Sequence, residues 1–249
     1  MDAFSKPRFA QQIAPLADAY GGLSFWTENL NSIVNPDATW RALLLIGCIR
    51  PDGLEEPVRN LLTHHDSRVR AWACFALGQL ADEASLEQIR AMNADPSNRV
   101  RIHAWQAVQA MVGEQESARV FPIRIPPRDR PILISEDSRV SQASIAARLG
   151  SMGYPVLTAS TEAETIALAV RVRPHAIVTD NQKGADNLSG LNLTWQLSRM
   201  QELRETVVFM VTADAVEPFF LWSGGDYFLP KASNALTDLA KVVNEYLHH

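Results

Sequence analysis

The chain changes its pattern once, at a short proline-rich segment. Before residue 119 the sequence is typical of helices, and after residue 131 short strands alternate with helices. The segment 119–131 (RVFPIRIPPRDRP) contains four prolines, which lack a backbone donor and favour extended geometry. At about 150 residues per domain, 249 residues suit two domains. We therefore predict domains at 1–118 and 132–249, joined by a semi-rigid linker at 119–131.

The first domain contains an internal repeat. The strings NPDATWR, HHDSRVR and DPSNRVR end at Arg41, Arg70 and Arg101, which are 29 and 31 residues apart. Each string precedes a helix of small and apolar residues, and amphipathic segments run between them, so each unit is a pair of helices. These strings resemble HEAT repeats, of the short bacterial kind also seen in phycobilin lyases. The resemblance covers 35–113 and implies an all-α solenoid, with 8–34 as a helical cap.

The repeated arginines and the tryptophans beside them allow two interpretations. In stacked repeats the arginines form a ladder that binds acids and carbonyls of the neighbouring repeat, or else they bind a ligand. The tryptophans either pack the core or line a pigment pocket. The residues concerned are Arg41, Arg70, Arg101, Trp40, Trp72 and Trp105.

The second domain reads as five strands alternating with helices. This alternation predicts an α/β domain with a doubly wound parallel sheet. The predicted strands are 132–135, 154–158, 175–179, 206–211 and 226–229, and the predicted helices are 138–150, 161–172, 188–202, 215–222 and 232–247.

Charged and polar residues follow four of these strands. Ligands of open parallel sheets bind outside the carboxyl ends of the strands, so these residues should meet at one edge. Crowded carboxylates repel each other unless a cation joins them, and a small hard cation such as Mg²⁺ takes oxygen ligands. A hydroxyl and an amine there could bind an anion, and one carboxylate could attack phosphorus to give an acyl phosphate. The residues are Glu136, Asp137, Asp180, Thr212 and Lys231.

This set resembles the receiver domain of bacterial two-component response regulators over residues 131–249. The resemblance implies a flavodoxin-like (βα)5 fold with a five-stranded parallel sheet. It implies that Asp180 is the phosphoacceptor, that Asp137 binds Mg²⁺ directly and that Glu136 binds it through water. Gln182 would offer its backbone carbonyl to the metal. Thr212 would hydrogen-bond a phosphoryl oxygen, Lys231 would pair with another, and Phe228 would change rotamer with Thr212 or simply fill the core.

Three features depart from the receiver pattern. The stretch from Asp180 to Gly190 is longer than usual and lacks the usual proline. The segment between Thr212 and Lys231 is too short for the full fourth helix of a receiver domain. Ala232 stands where receivers commonly carry proline, so Lys231 is placed by a trans bond or the site stores strain.

The shortened region contains an aromatic cluster, Phe219-Phe220-Leu221-Trp222. A short helix buries only one face, so these rings either pack on the domain's own sheet or reach a partner. Receivers commonly dimerise on this face, which makes a homodimer through 214–232 one expectation.

The charge balance and the length of the apolar runs exclude two classes of binding partner. Residues 1–125 hold 12 basic and 14 acidic side chains and residues 126–249 hold 11 and 14, so we expect no nucleic-acid partner. The longest apolar run, 42–49, is far shorter than the ~20 residues of a membrane span. We expect no membrane contact and a cytoplasmic location, where Cys48 and Cys74 are reduced core residues.

Three functions follow from these features. The first is a response-regulator-like signalling protein, whose Asp180 is phosphorylated with Mg²⁺ by a histidine kinase or phosphotransfer protein. Phosphorylation would switch the protein interactions of the receiver and of the HEAT surface, whose partner is unknown. The chain would be no enzyme beyond catalysing its own phosphoryl transfer and dephosphorylation. The second is a phosphorylation-independent pseudo-receiver and HEAT scaffold, and the third is a chromophore lyase.

Overall fold

The computed structural model describes residues 15, 22–113, 130–181, 189–232 and 234–248. They form two compact units, one before residue 114 and one after residue 129. Of the predicted linker, 119–131, only Arg130 and Pro131 lie within the described residues, so its geometry and the domain boundaries stay predictions. The predicted cap is described only at residue 15 and from residue 22 onwards.

The first unit is helical. Short 3-10 turns follow or precede several helices. Its helices are α1 (Gly22–Asn29), α2 (Pro36–Ile49), α3 (Glu55–Arg59), α4 (Ser67–Leu80), α5 (Leu86–Ala91) and α6 (Asn98–Val112).

The repeated strings form the turns that start α2, α4 and α6. Asn35 caps α2 and Asp66 caps α4, each by accepting a backbone N–H two residues further on. Asp95 instead accepts the N–H of Ser97, which lies directly before α6. The repeat therefore reflects a turn in which a polar side chain binds the first free backbone donors.

The ladder arginines bind carbonyls of their own turns. Arg70 donates to the carbonyls of His64 and His65, and Arg101 donates in the same way to Asp95 and Pro96. Arg41 donates to the carbonyl of Asp37. This matches the structural interpretation of the ladder, except that the carbonyls belong to the same repeat.

Aromatic rings and small residues pack the helices of this unit together. Trp40 and Trp72 are buried and stacked with ring centroids 6.1 Å apart, and His103 lies 5.1 Å beyond Trp72. At the crossing of α4 and α6, a Cβ on Gly78 would lie 2.8 Å from Ala107 Cα. Trp40 and Trp72 are thus core residues, whereas Trp105 is only partly buried. The α4–α6 contact depends on a residue without a side chain.

The second unit alternates strands and helices. The strands are β1 (Ile132–Ser135), β2 (Val156–Ala159), β3 (Ala176–Thr179), β4 (Val207–Thr212) and β5 (Tyr227–Pro230). The helices are α7 (Arg139–Ser151), α8 (Glu162–Val172), α9 (Ser189–Ser198), α10 (Glu217–Trp222) and α11 (Ala235–His248). Every predicted element exists, although α9 is shorter than predicted and ends before a 3-10 turn at Gln201–Leu203.

The five strands form one parallel sheet in the order β2-β1-β3-β4-β5. β1, β3 and β4 are fully buried, as their unbroken apolar sequences require, and β2 and β5 form the edges. One side of the core is a cluster around Leu133, Ile177 and Leu193. In the part of the chain that the structure describes, no helix has the length and apolarity to cross a membrane.

Candidate functional site

The carboxyl ends of β1, β3, β4 and β5 meet at one edge of the sheet. Ser135 pairs with Thr179 across β1 and β3, and Thr212 pairs with Pro230 across β4 and β5. The residues directly after three of these strand ends are Glu136, Asp180 and Lys231. This is the edge at which parallel α/β sheets bind ligands.

An ion pair joins two of the predicted residues. Lys231 Nζ lies 2.5 Å from Asp180 Oδ2 and 3.7 Å from Glu136 Oε2, so one ammonium group faces two carboxylates. Asp180 is 8% exposed and Glu136 3% exposed. Because buried carboxylates are costly without a cation, Lys231 stabilises both.

The backbone fixes the Asp180 carboxylate. Its Oδ1 accepts the N–H of Asn181 at 2.6 Å, which leaves Oδ2 for Lys231. The N–H of Lys231 donates to the carbonyl of Thr212 at 2.7 Å. This bond holds the lysine at the end of β5, beside β4. The Lys231–Ala232 bond is trans, in agreement with one of the two sequence-based alternatives.

Glu136 is held from its own side. Its Oε1 accepts the N–H of Ser138 at 3.0 Å, and its backbone N–H donates to Ala159 on β2. The neighbouring Asp137 is exposed, and its carboxyl group contributes to the raised pKa of Glu136. Glu136 faces Asp180 through their shared contact with Lys231.

Burial and charge shift two pKa values at this edge. Burial raises the pKa of Glu136, and the nearby Asp180 charge adds to this, whereas the Ser138 N–H and Lys231 oppose it. Burial would lower the pKa of Lys231, but its hydrogen bond with Asp180 and the two carboxylate charges outweigh burial and raise it. Lys231 is therefore an ammonium ion at neutral pH.

The donor chemistry at this edge suits a hard cation. Carboxylates of Glu136, Asp137 and Asp180 are the oxygen ligands that Mg²⁺ takes. Within the described ranges, however, no three or more His, Cys, Asp or Glu side chains are grouped as a metal site. The predicted carbonyl ligand, Gln182, lies outside the described residues. The predicted set thus fits the cation by its donor chemistry.

Thr212 is the last residue of β4, and its hydroxyl has a partner that the sequence did not predict. Thr212 Oγ1 lies 3.4 Å from Asp214 Oδ2 and accepts the N–H of Asp214 at 3.3 Å. The same Asp214 Oδ2 accepts Asn181 Nδ2 at 2.8 Å. A chain of polar contacts therefore runs from the residue after Asp180 to Thr212.

Asn181 and Asp214 are the functional residues that sequence analysis missed. Asn181 follows Asp180 directly, and Asp214 stands two residues after Thr212. The sequence places both residues next to strand ends, from which polar side chains can reach the same edge of the sheet. Polar residues are common in loops, however, and only the structure brings these two within hydrogen-bond distance.

The aromatic residues near the site are partly buried. Phe228 on β5 is intermediate in exposure, and its ring centroid lies 6.3 Å from that of Phe220. In α10, Phe220 and Leu221 are buried, whereas Phe219 is 46% exposed. In the cluster at 219–222, two side chains thus pack within their own domain, Trp222 is partly buried, and Phe219 is exposed.

Comparisons with known proteins separate the two units. Residues 24–120 match the family of HEAT repeats. Among solved structures, the chain is similar to chemotaxis protein CheY4 of Vibrio cholerae, with 21% identity, a TM-score of 0.44, and coverage of 47% of this chain and 98% of that one. No curated protein matches the chain.

Two further structures are similar over the same share of this chain, 47%. A CheY-like receiver domain protein of Methanospirillum hungatei has 26% identity and a TM-score of 0.43, with 93% of that chain covered. The receiver domain of a sensor histidine kinase from Pseudomonas aeruginosa, with magnesium in its active-site cleft, has 25% identity and a TM-score of 0.43, with 97% covered.

The chain therefore combines a helical region that matches HEAT repeats with an α/β domain of flavodoxin-like fold. The strand order β2-β1-β3-β4-β5 and the parallel pairing define the fold of the second domain. Both parts agree with the fold class that the sequence predicted.

Proposed function

We propose that the protein is a response-regulator-like signalling protein in which Asp180 accepts a phosphoryl group from a histidine kinase or phosphotransfer protein. The observation that carries this proposal is the 2.5 Å pair between Lys231 Nζ and Asp180 Oδ2 at the carboxyl edge of a five-stranded parallel sheet. A nucleophilic carboxylate, a fixed cation and a nearby hydroxyl are the groups that phosphoryl transfer to a carboxylate needs.

The chemistry follows from the positions of the side chains. A carboxylate oxygen of Asp180 attacks phosphorus, the new P–O bond forms, and the P–N bond to the donor's histidine breaks, with its electron pair returning to the imidazole. Lys231 neutralises negative charge on the phosphoryl oxygens, and the Thr212 hydroxyl donates to one of them. The later hydrolysis, in which water attacks the acyl phosphate, returns the carboxylate.

Glu136, Asp137 and Asp180 would hold Mg²⁺, together with the carbonyl of Gln182. The ion, when bound, screens the negative charge of the entering phosphoryl group. This role fits carboxyl groups that lie close together at the strand ends. Lys231 alone supplies one positive charge against the several negative charges of two carboxylates and a phosphoryl group.

Phosphorylation would change which proteins bind the receiver and the HEAT repeats. Phe228, beside Phe220 of α10, is the side chain through which a change at Thr212 would reach the surface. The 214–232 face, with the exposed ring of Phe219, would take a second copy of the chain. Beyond its own phosphoryl transfer and dephosphorylation, the protein would act by binding rather than by catalysis.

One observation favours a second candidate, a scaffold that needs no phosphorylation. Lys231 already pairs with both Glu136 and Asp180, so each of these carboxylates has a cation within 4 Å without a metal ion. In this case the receiver fold would serve as a docking domain, and its partner affinity would be independent of any phosphodonor.

Intact mass spectrometry of the full chain with Mg²⁺ and acetyl phosphate tests the proposal. Wild type should gain one phosphoryl group, and Asp180→Ala should gain none. EDTA should abolish the adduct. Asp238→Ala, a carboxylate on α11 that bonds only locally to Asn234, is the matched control and should behave as wild type. Wild type without an adduct and without beryllofluoride binding would favour the scaffold.

A further inference from the structure

The polar contacts between Asn181, Asp214 and Thr212 join two strand ends beside the phosphoacceptor. Asn181 leaves β3 directly after Asp180, and Asp214 follows the end of β4. Asn181 Nδ2 lies 2.8 Å from Asp214 Oδ2, a charge-assisted hydrogen bond of normal length. Asp214 Oδ2 is also 3.4 Å from Thr212 Oγ1. We call these three residues the Asp214 clasp.

The Asp214 clasp occupies the Thr212 hydroxyl, which the phosphorylated protein would need to bind a phosphoryl oxygen. Thr212 is 1% exposed, and a hydroxyl has a single hydrogen to donate. While that hydrogen points to Asp214, a phosphoryl oxygen on Asp180 cannot receive it.

We infer that Asp214 is a positioning residue that holds the receiver in its unphosphorylated form by competing for the Thr212 hydroxyl. The inference rests on the proposed function. Phosphorylation must break the contact between Thr212 and Asp214. The free energy needed to break this contact weakens the binding of the phosphoryl group by the same amount. The loop of Asp214 then moves away from Asn181, which transmits the state of Asp180 to the segment before α10.

Equilibrium binding of beryllofluoride, a phosphoryl mimic, to the full chain tests this inference. With Mg²⁺ fixed, calorimetry gives the affinity for wild type, Asp214→Asn and Asp214→Ala. Because the contact between Thr212 and Asp214 is long, at 3.4 Å, its loss should have a moderate effect, and Asp214→Ala should bind on the order of tenfold more tightly. Asp214→Asn keeps an acceptor but loses the charge, and it should lie between Asp214→Ala and wild type.

Two controls separate competition at Thr212 from a general effect. In a Thr212→Ala background the gain from Asp214→Ala should disappear, because the hydroxyl for which Asp214 competes is gone. A residue with a merely structural role would change the affinity equally in both backgrounds. Glu202→Ala removes one negative charge from an exposed 3-10 turn before β4, at the opposite end of that strand, and should leave the affinity unchanged.

The outcomes distinguish the inference from the proposed function. If wild type binds beryllofluoride and Asp214→Ala binds it equally or more weakly, the clasp does not oppose phosphorylation, while the proposed function stands. A gain that persists in the Thr212→Ala background also overturns the inference. If neither wild type nor any Asp214 variant binds, both the proposed function and the inference fail.

Discussion

Gly190, at the start of α9, packs against the backbone of Asp180. Its N–H donates to the carbonyl of Asn181 at 3.0 Å, and a Cβ at position 190 would overlap the Asp180 carbonyl and lie 2.5 Å from Asn181 Cα. Both obstacles are backbone atoms, which cannot swing aside as a side chain does. The start of α9 therefore fixes the backbone of Asp180, the proposed phosphoacceptor, and of Asn181.

Gly190→Ala should distort this loop. Overpacking costs about 1–3 kcal/mol, and the strain falls on the peptide between Asp180 and Asn181. We expect lower stability of the α/β unit and weaker beryllofluoride binding. Hydrogen–deuterium exchange in urea reports the two units separately and measures the first effect. Calorimetry measures the second.

Gly150→Ala is the matched control for Gly190→Ala. Gly150 lies in α7, and no atom lies within 4 Å of a Cβ there. Alanine should stabilise this helix by up to about 1 kcal/mol. Equal effects of the two substitutions would show that the close contact at Gly190 does not govern the site.

Arg70 should be a main determinant of stability in the helical unit. Its Nε lies 2.8 Å from Asp95 Oδ2 and its Nη2 lies 2.9 Å from Asp95 Oδ1, which joins the turn of one repeat to the next. Both side chains are largely buried, at 13% and 8% exposure. Arg70→Ala leaves Asp95 buried without this cation and should cost about 3 kcal/mol of unfolding free energy.

Arg70→Lys and Arg90→Ala show whether geometry or charge matters at Arg70. Lysine cannot make the forked pair, so Arg70→Lys should recover only part of the stability. Arg90 pairs with an exposed Glu87, and Arg90→Ala should cost under about 1 kcal/mol. Urea unfolding with exchange detection measures all three variants, and full rescue by lysine would contradict the forked-pair explanation.

The convergence of Glu136, Asp180 and Lys231 was predictable because parallel strands place their carboxyl ends at one edge. The end of an apolar run in the sequence identifies the end of a strand and the residue after it. The residues that meet at this edge could therefore be named from the sequence alone. The ladder arginines were predictable only in part. Arg70 and Arg101 repeat the same contacts with their turns, but the carbonyls belong to their own repeat and not to the neighbouring one. An apolar run does not determine the exact residue at which its strand ends. Thr212 is the last residue of β4 and not, as predicted, the residue after it.

The Asp214 clasp and the forked pair of Arg70 with Asp95 were not predictable in detail. Each depends on the direction of a side chain from one turn towards another, and sequence spacing does not determine that direction. The length of α9 was also overestimated. Arg199 and Met200 lie outside the helix, before a 3-10 turn, although the apolar pattern continues to Leu203.

Lys231→Ala should have opposite effects on metal and phosphoryl binding. Removal of the ammonium leaves Glu136 and Asp180 without their shared cation, so Mg²⁺ should bind several-fold more tightly. Beryllofluoride should bind more weakly, because its anionic charge loses a partner. Calorimetric titrations with each ligand measure both affinities.

Lys241→Ala is the control for Lys231→Ala. Lys241 is 73% exposed and pairs loosely with Glu245 on α11. Its removal should change neither affinity. Weaker Mg²⁺ binding by Lys231→Ala would show that the lysine assists the metal rather than substituting for it.

Cys74 should make the helical unit less stable in alkaline solution. The residue is fully buried, and burial, with the Asp95 charge adding to it and Arg70 opposing it, raises the pKa of its thiol. Below the unfolded pKa, near 8.5, the thiol is protonated in both states and has no effect. At higher pH only the unfolded chain loses the proton, so the unfolding free energy falls by up to about 1.4 kcal/mol per pH unit.

Unfolding of wild type and Cys74→Ala at pH 8 and pH 10 isolates this contribution, because lysines and tyrosines titrate equally in both. Wild type should lose about 2 kcal/mol more than Cys74→Ala over this range, and equal losses would contradict the role of Cys74.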